Sequence, residues 1–116
     1  MKLHNEIIEI LENAGFSVNE VEKQDDSFYV EVGQYTPLGE DWWETIWFDG
    51  TDDGFINAVR TRYITFDVDE EAEIWIKNRG KNGVPSSIID LVRDAEWKED
   101  TLGELLDALN WKFKWR

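Results

Sequence analysis

Cysteine is absent, which excludes a disulfide framework, a thiolate zinc site and a cysteine nucleophile together. Histidine occurs once, as His4, and a catalytic imidazole needs an orienting partner that no motif here supplies. Proline occurs only twice, and no repeat, linker or low-complexity stretch divides the chain, so residues 1–116 read as one domain. No apolar run approaches the roughly 18 residues of a membrane span. The opening Met1-Lys2-Leu3-His4-Asn5-Glu6 carries no apolar h-region. The expectation is a cytoplasmic protein with no membrane contact. Cations are scarce as well: 12 Lys and Arg stand against 26 Asp and Glu, a net charge of −14. A chain so acidic repels phosphate backbones and anionic lipid, which argues against direct nucleic-acid binding.

What is present is a set of clear periodicities. Leu3, Ile7, Ile10, Leu11 and Ala14 recur at helical spacing and Gly15 follows, which predicts a helix over 2–14. Strands are predicted at 16–22, 27–36 and 42–48. In the second of these Phe28, Val30 and Val32 alternate with Tyr29, Glu31 and Tyr35. The third puts Trp43 and Trp47 on one face and Trp42, Ile46 and Phe48 on the other. Helices follow at 54–65, capped by Asp52 or Asp53, and at 68–79, with Asp67 and Glu70 as a capping pair and Gly80 at the end. Lys81-Asn82-Gly83 is a loop, and Pro85-Ser86-Ser87 opens a further helical region with Val84, Ile88, Leu91, Val92 and Ala95 in one stripe. The pattern leaves open whether 86–110 is one helix or two, with a restart at Asp100 or Thr101. The expected class is α+β: one helix, a three-stranded antiparallel meander, then three or four covering helices. The expected core is Ile7, Leu11, Val30, Ile46, Val59, Trp75, Ile88, Leu91, Leu102 and Leu106.

No constellation carries catalytic chemistry. None of Ser17, Ser27, Ser86 and Ser87 sits in a nucleophile elbow, and Arg79-Gly80-Lys81-Asn82-Gly83 lacks the spacing of a phosphate-cradling loop. Asp49-Gly50-Thr51-Asp52-Asp53-Gly54-Phe55-Ile56-Asn57 matches parts of a calcium loop, but Arg60 stands where the closing carboxylate belongs. A strand-to-helix turn with an Asp cap accounts for it, and no metal, cofactor or catalytic residue is expected.

Two features remain for binding. Glu40, Asp41, Glu44, Asp52 and Asp53, with Asp69, Glu70 and Glu73, can spread negative charge over one face, although first-turn acids also suit a helix dipole. Seven tryptophans exceed what a core of this size needs. With both faces of strand 42–48 aromatic, either something covers the face of Trp43 and Trp47 or it meets a partner. The tail Trp111-Lys112-Phe113-Lys114-Trp115-Arg116 alternates aromatic and basic residues, and is read as an extra edge strand or helix end packing on the acidic body.

Three runs carry a resemblance: Tyr35-Thr36-Pro37-Leu38-Gly39-Glu40-Asp41, Phe66-Asp67-Val68-Asp69-Glu70-Glu71 with Trp75-Ile76, and Gly80-Lys81-Asn82-Gly83-Val84-Pro85-Ser86-Ser87-Ile88. Over about residues 28–110 the chain resembles small acidic proteins of bacterial mobile elements and phages. That resemblance implies a gene context and no site residues. The expected function is a non-enzymatic interaction protein that meets a basic protein partner, in its concrete form a nucleic-acid-charge mimic of the anti-restriction or anti-CRISPR type. The alternatives are an immunity protein or antitoxin for a cationic toxin, and a small calcium-dependent module or hydrolase.

Overall fold

The computed structural model describes residues 3–22, 27–79 and 87–113. The element order is α1 (Asn5–Asn13), β1 (Ser17–Glu22), β2 (Phe28–Tyr35), β3 (Asp41–Phe48), α2 (Asp52–Ile64), α3 (Val68–Arg79) and α4 (Ile88–Phe113). This is the α+β architecture of the expected class, with three helices after the meander.

Local chemistry sets the ends of these elements. Helix α1 starts at Asn5 rather than residue 2 because His4 is its cap, with Nδ1 accepting the N–H of Glu6 at 3.1 Å. It stops at Gly15, whose φ of +94° lets the Phe16 N–H reach back to the Leu11 carbonyl at 3.0 Å. The cap of α2 is Thr51, not Asp52 or Asp53: its hydroxyl accepts the Gly54 N–H at 3.0 Å, so the helix begins two residues earlier than 54. Asp67 does cap α3, accepting the Glu70 N–H at 3.2 Å. The predicted terminator Gly80, the loop 81–83 and the run 84–86 lie outside the described residues, but Ser87 caps α4 through the Asp90 N–H at 3.4 Å.

The sheet order is β1-β2-β3, antiparallel throughout, with Val30 opposite Ile46 and Gly33 opposite Trp43. A period of two then sends Val30, Val32, Trp42, Ile46 and Phe48 toward the helices. The core joins these to Ile7 and Leu11 of α1, Phe55, Ile56 and Val59 of α2, and Leu102, Leu105, Leu106 and Leu109 of α4.

Helix α4 is one helix of 26 residues, about 39 Å long at the usual rise, and it packs on α1, α2 and α3. There is no restart at Asp100 or Thr101. Thr101 is buried within the helix and returns its hydroxyl to the Trp97 carbonyl at 2.8 Å. The same helix absorbs 111–113 of the tail, ending with buried Phe113 edge-on to His4 at 5.9 Å. Residues 114–116 lie outside the described residues.

Nine of the ten expected core residues are buried. Ile88 is the exception at 76% exposed, because it is the first residue of α4 and the buried stripe begins one turn later, at Leu91.

Candidate functional site

Three surfaces merit description: a charged cleft, the turn into α2, and the outer face of the sheet. The cleft has a volume of about 350 Å³ and is lined by residues of β3, α2, α3 and α4 together with Glu40. Lys98 is 1% exposed, and its Nζ lies 3.1 Å from both Glu40 Oε1 and Glu71 Oε2. Glu71 also accepts from Arg62. Arg62 makes a two-point contact with Glu44, Nε to Oε1 at 2.5 Å and Nη2 to Oε2 at 2.9 Å. The result is a chain of alternating sign: Glu40, Lys98, Glu71, Arg62, Glu44. Its order is required, since taking an ion out of water costs several kcal/mol unless it is paired and hydrogen-bonded.

Aromatic rings close the network. Lys98 Nζ lies 5.8 Å from the centre of the Trp42 ring, Arg62 lies 4.8 Å from that of Phe66, and Trp42 Nε1 donates to Glu44 at 2.8 Å. Burial pushes the Glu40 carboxyl above its ordinary pKa, an effect that Lys98 opposes. Burial works against the Arg62 charge, yet the hydrogen bonds and negative charge of Glu44 and Glu71 hold its pKa above the usual value. Beside them, buried Asp94 accepts the Leu38 N–H at 3.2 Å through Oδ1, while Oδ2 has no hydrogen-bond partner among the described residues. The cleft contains ion pairs and indoles, and its lining includes no serine, threonine or histidine.

The turn into α2 spends its acids locally. Asp49 Oδ1 accepts both the N–H and the hydroxyl of Thr51, at 2.9 and 2.6 Å. The Thr51 hydrogen bonds hold the Asp49 carboxyl below its ordinary pKa. Arg60 is engaged by Asn57 and by Asn110, the latter at 3.2 Å. Among the described residues no group of three or more His, Asp or Glu is placed to hold a metal ion.

The outer sheet face carries Tyr29, Glu31, Gly33 and Tyr35 of β2 opposite Trp47, Thr45, Trp43 and Asp41 of β3. Trp43 and Trp47 are 49% and 55% exposed, and Tyr35 is 70% exposed. Tyr29 and Trp47 pack with ring centres 4.6 Å apart, and Trp43 Nε1 donates to Asp41 at 2.9 Å. Trp43, Trp47 and Tyr35 are thus left open to solvent rather than covered by a described element.

The ten residues singled out from the sequence divide accordingly. Trp43, Trp47 and Asp41 come together on the sheet face. Glu40 and Glu44 are partly buried and face inward into the ion-pair network. Asp53 is exposed and Asp52 half-buried in the first turn of α2, and Asp69, Glu70 and Glu73 are exposed on α3. Sequence reasoning missed a further row. Glu96, Asp100, Glu104 and Asp107 are all exposed on α4, at the helical spacing of one face. The signal was there: these positions alternate with the leucine stripe, and reading the polar side of that periodicity finds them.

No helix among the described residues is long and apolar enough to cross a membrane. Comparison with protein families, curated proteins and solved structures finds no match to the chain.

Proposed function

We propose that this chain is a non-enzymatic interaction protein whose acidic surface engages a basic protein partner by mimicking the charge of a nucleic acid. The observation that carries the reading is the division of charge. Among the described cations Lys77 and Arg93 are exposed, but Arg60, Arg62, Lys98 and Lys112 are drawn inward or tied to neighbours, while carboxylates face water in rows. Arg62 and Lys98 belong to the cleft, Lys112 pairs with Glu6 at 3.0 Å, and Arg60 is held by two asparagines. Against them, the row from Glu96 to Asp107 places a carboxylate about every 5.5 Å along α4, and Asp69, Glu70 and Glu73 stand on α3. A nucleic-acid strand carries one charge per about 3.4 Å of axis. The row therefore has over half that linear density, without a phosphate. Carboxylates at this spacing occupy a partner's phosphate sites and draw it in by the same long-range attraction.

The matching biological role is inhibition of a basic DNA- or RNA-binding protein, of the anti-restriction or anti-CRISPR kind, in the setting of a phage or mobile element. Affinity capture from a bacterial lysate at low and high salt tests the reading. Basic nucleic-acid-binding proteins should be retained at low salt and lost at high salt, because exposed charges are screened beyond roughly 8–10 Å near physiological ionic strength. They should also be lost with the triple variant Asp69→Lys, Glu70→Lys, Glu73→Lys. Capture indifferent to salt and to the reversal would overturn the reading.

A further inference from the structure

We propose that the outer face of the sheet is a docking surface for an arginine-bearing segment of the partner polypeptide. The proposal rests on the reading of a basic partner and adds where that partner is gripped and by which side chain. Three observations converge on it.

The first is aromatic. Tyr29 and Trp47 form a packed pair, Trp43 is fixed over Gly33 with its N–H tied to Asp41, and Tyr35 stands beside Asp41 in register. The Trp43 and Trp47 rings are held in place and about half exposed, so little is lost in ordering them when a ligand arrives.

The second is charge. β1, β2 and β3 contain no Lys or Arg, and the outer face carries the carboxylates Glu31 and Asp41, while Glu20, Glu22 and Glu44 alternate to the helix-facing side. Edge strands commonly protect themselves with lysine, and this sheet does not. Glu31 lies between Tyr29 and Gly33 on the central strand. No described cation makes a salt bridge to it.

The third is the fit of chemistry. A guanidinium stacks on an indole or phenol face and forks onto a carboxylate at once, and this face supplies both within one sheet width. The same charge argues against the other occupants. A second copy would bring the same cation-free face on a chain of net charge −14, and stacked nucleic-acid bases would need a basic groove for their phosphates.

The test uses the full chain and a fluorescent nona-arginine peptide, followed by anisotropy at low salt, with the indole N–H resonances of Trp43 and Trp47 recorded alongside. Both resonances should shift on titration, and nona-lysine should bind more weakly. Trp47→Ala should reduce affinity about two- to fivefold, the range of a single exposed cation–π contact. Glu31→Gln, nearly isosteric, should weaken binding as well, and it keeps the proposal open to refutation should Trp47→Ala unfold. Suppose that both variants bind as wild type, while reversing Glu96, Asp100, Glu104 and Asp107 to lysine abolishes binding. The docking surface then falls and the charge reading stands. If neither set of variants nor added salt changes binding, the charge reading falls too. Salt-independent binding of a neutral oligosaccharide at Trp43 and Trp47, or a dimer that Trp47→Ala dissociates, would overturn the arginine assignment in favour of those occupants.

Discussion

The indole of Trp43 lies directly over the backbone of Gly33, its register partner on β2, so closely that a Cβ at position 33 would fall 2.2–2.4 Å from three ring carbons. Glycine is needed there for space, not for backbone conformation, because Gly33 is not among the positive-φ glycines. Gly33→Ala must therefore push Trp43 off the sheet. We expect a loss of about 1–3 kcal/mol, the usual range for overpacking, read as a lower urea midpoint at unchanged slope. The tryptophan emission should change with it, and affinity for nona-arginine should fall in the same variant.

Lys98 makes a sharper case. Replacing it with methionine keeps the packing under Trp42 but strands Glu40 and leaves Glu71 with Arg62 alone. Removing one partner of a buried ion pair typically costs about 3–5 kcal/mol, a large share of the roughly 5–15 kcal/mol that holds a small domain. The pH dependence follows from the sign of the Glu40 shift. A carboxyl whose folded pKa is raised stabilises the fold below that pKa and loses its contribution as pH rises through it. Without Lys98 the shift grows, so Lys98→Met should regain stability as pH falls from neutral, whereas Lys98→Met combined with Glu40→Gln should show less of this recovery. Thermal unfolding across pH checks both. A Lys98→Met variant as stable as wild type at neutral pH would show that the network contributes nothing net.

This network is also where sequence reading stopped. Periods of two and 3.6 placed the strands and helices and put Trp43 and Trp47 opposite Trp42 and Ile46, because alternation depends on neighbours in the chain. The partners of Lys98 are not neighbours: Glu40 is 58 positions away. Still, Leu91, Ala95, Lys98, Leu102, Leu105 and Leu109 share one helical stripe, so a lysine on the buried side could have been read as one in need of carboxylates. Which of the many acids would answer depends on how α2, α3 and α4 meet, and local pattern does not encode that. The error at Ile88 has the opposite origin: apolar periodicity was extended to a helix's first residue, where there is nothing to pack against.

At the turn into α2, Thr51→Ala removes the cap from Gly54 and the hydroxyl donor to Asp49, leaving only the backbone N–H of residue 51 on that carboxylate. The expected loss is about 1 kcal/mol, the usual value for an N-cap threonine. The Asp49 pKa is lowered in the fold, so its contribution is present above the unfolded pKa and lost as pH falls through the folded one. Thr51→Ala should flatten that part of the acid-unfolding curve. Because Asp49 is already committed to Thr51 and Arg60 is tied to Asn57 and Asn110, millimolar calcium should leave the melting temperature unchanged. A calcium-dependent rise abolished by Asp53→Ala would show that the turn is a metal loop after all.

The row on α4 separates a functional acid surface from one that merely keeps the protein dissolved. Asp100 sits four residues from both Glu96 and Glu104 on one exposed face. Like charges at that spacing destabilise a helix by about 0.2–0.5 kcal/mol per pair, and opposite charges stabilise it by as much. Asp100→Lys converts two repulsive pairs into two attractive ones and replaces a poor helix former with a good one. The variant should therefore be more stable than wild type by about 1–2 kcal/mol, with a higher melting temperature that salt reduces. If the row exists to meet a basic partner, the same substitution should weaken capture of that partner, mainly by slowing association. Greater stability with weaker binding is the outcome expected of a surface kept strained for function. Greater stability with undiminished binding would place the interface elsewhere and leave solubility as the sole role of the row.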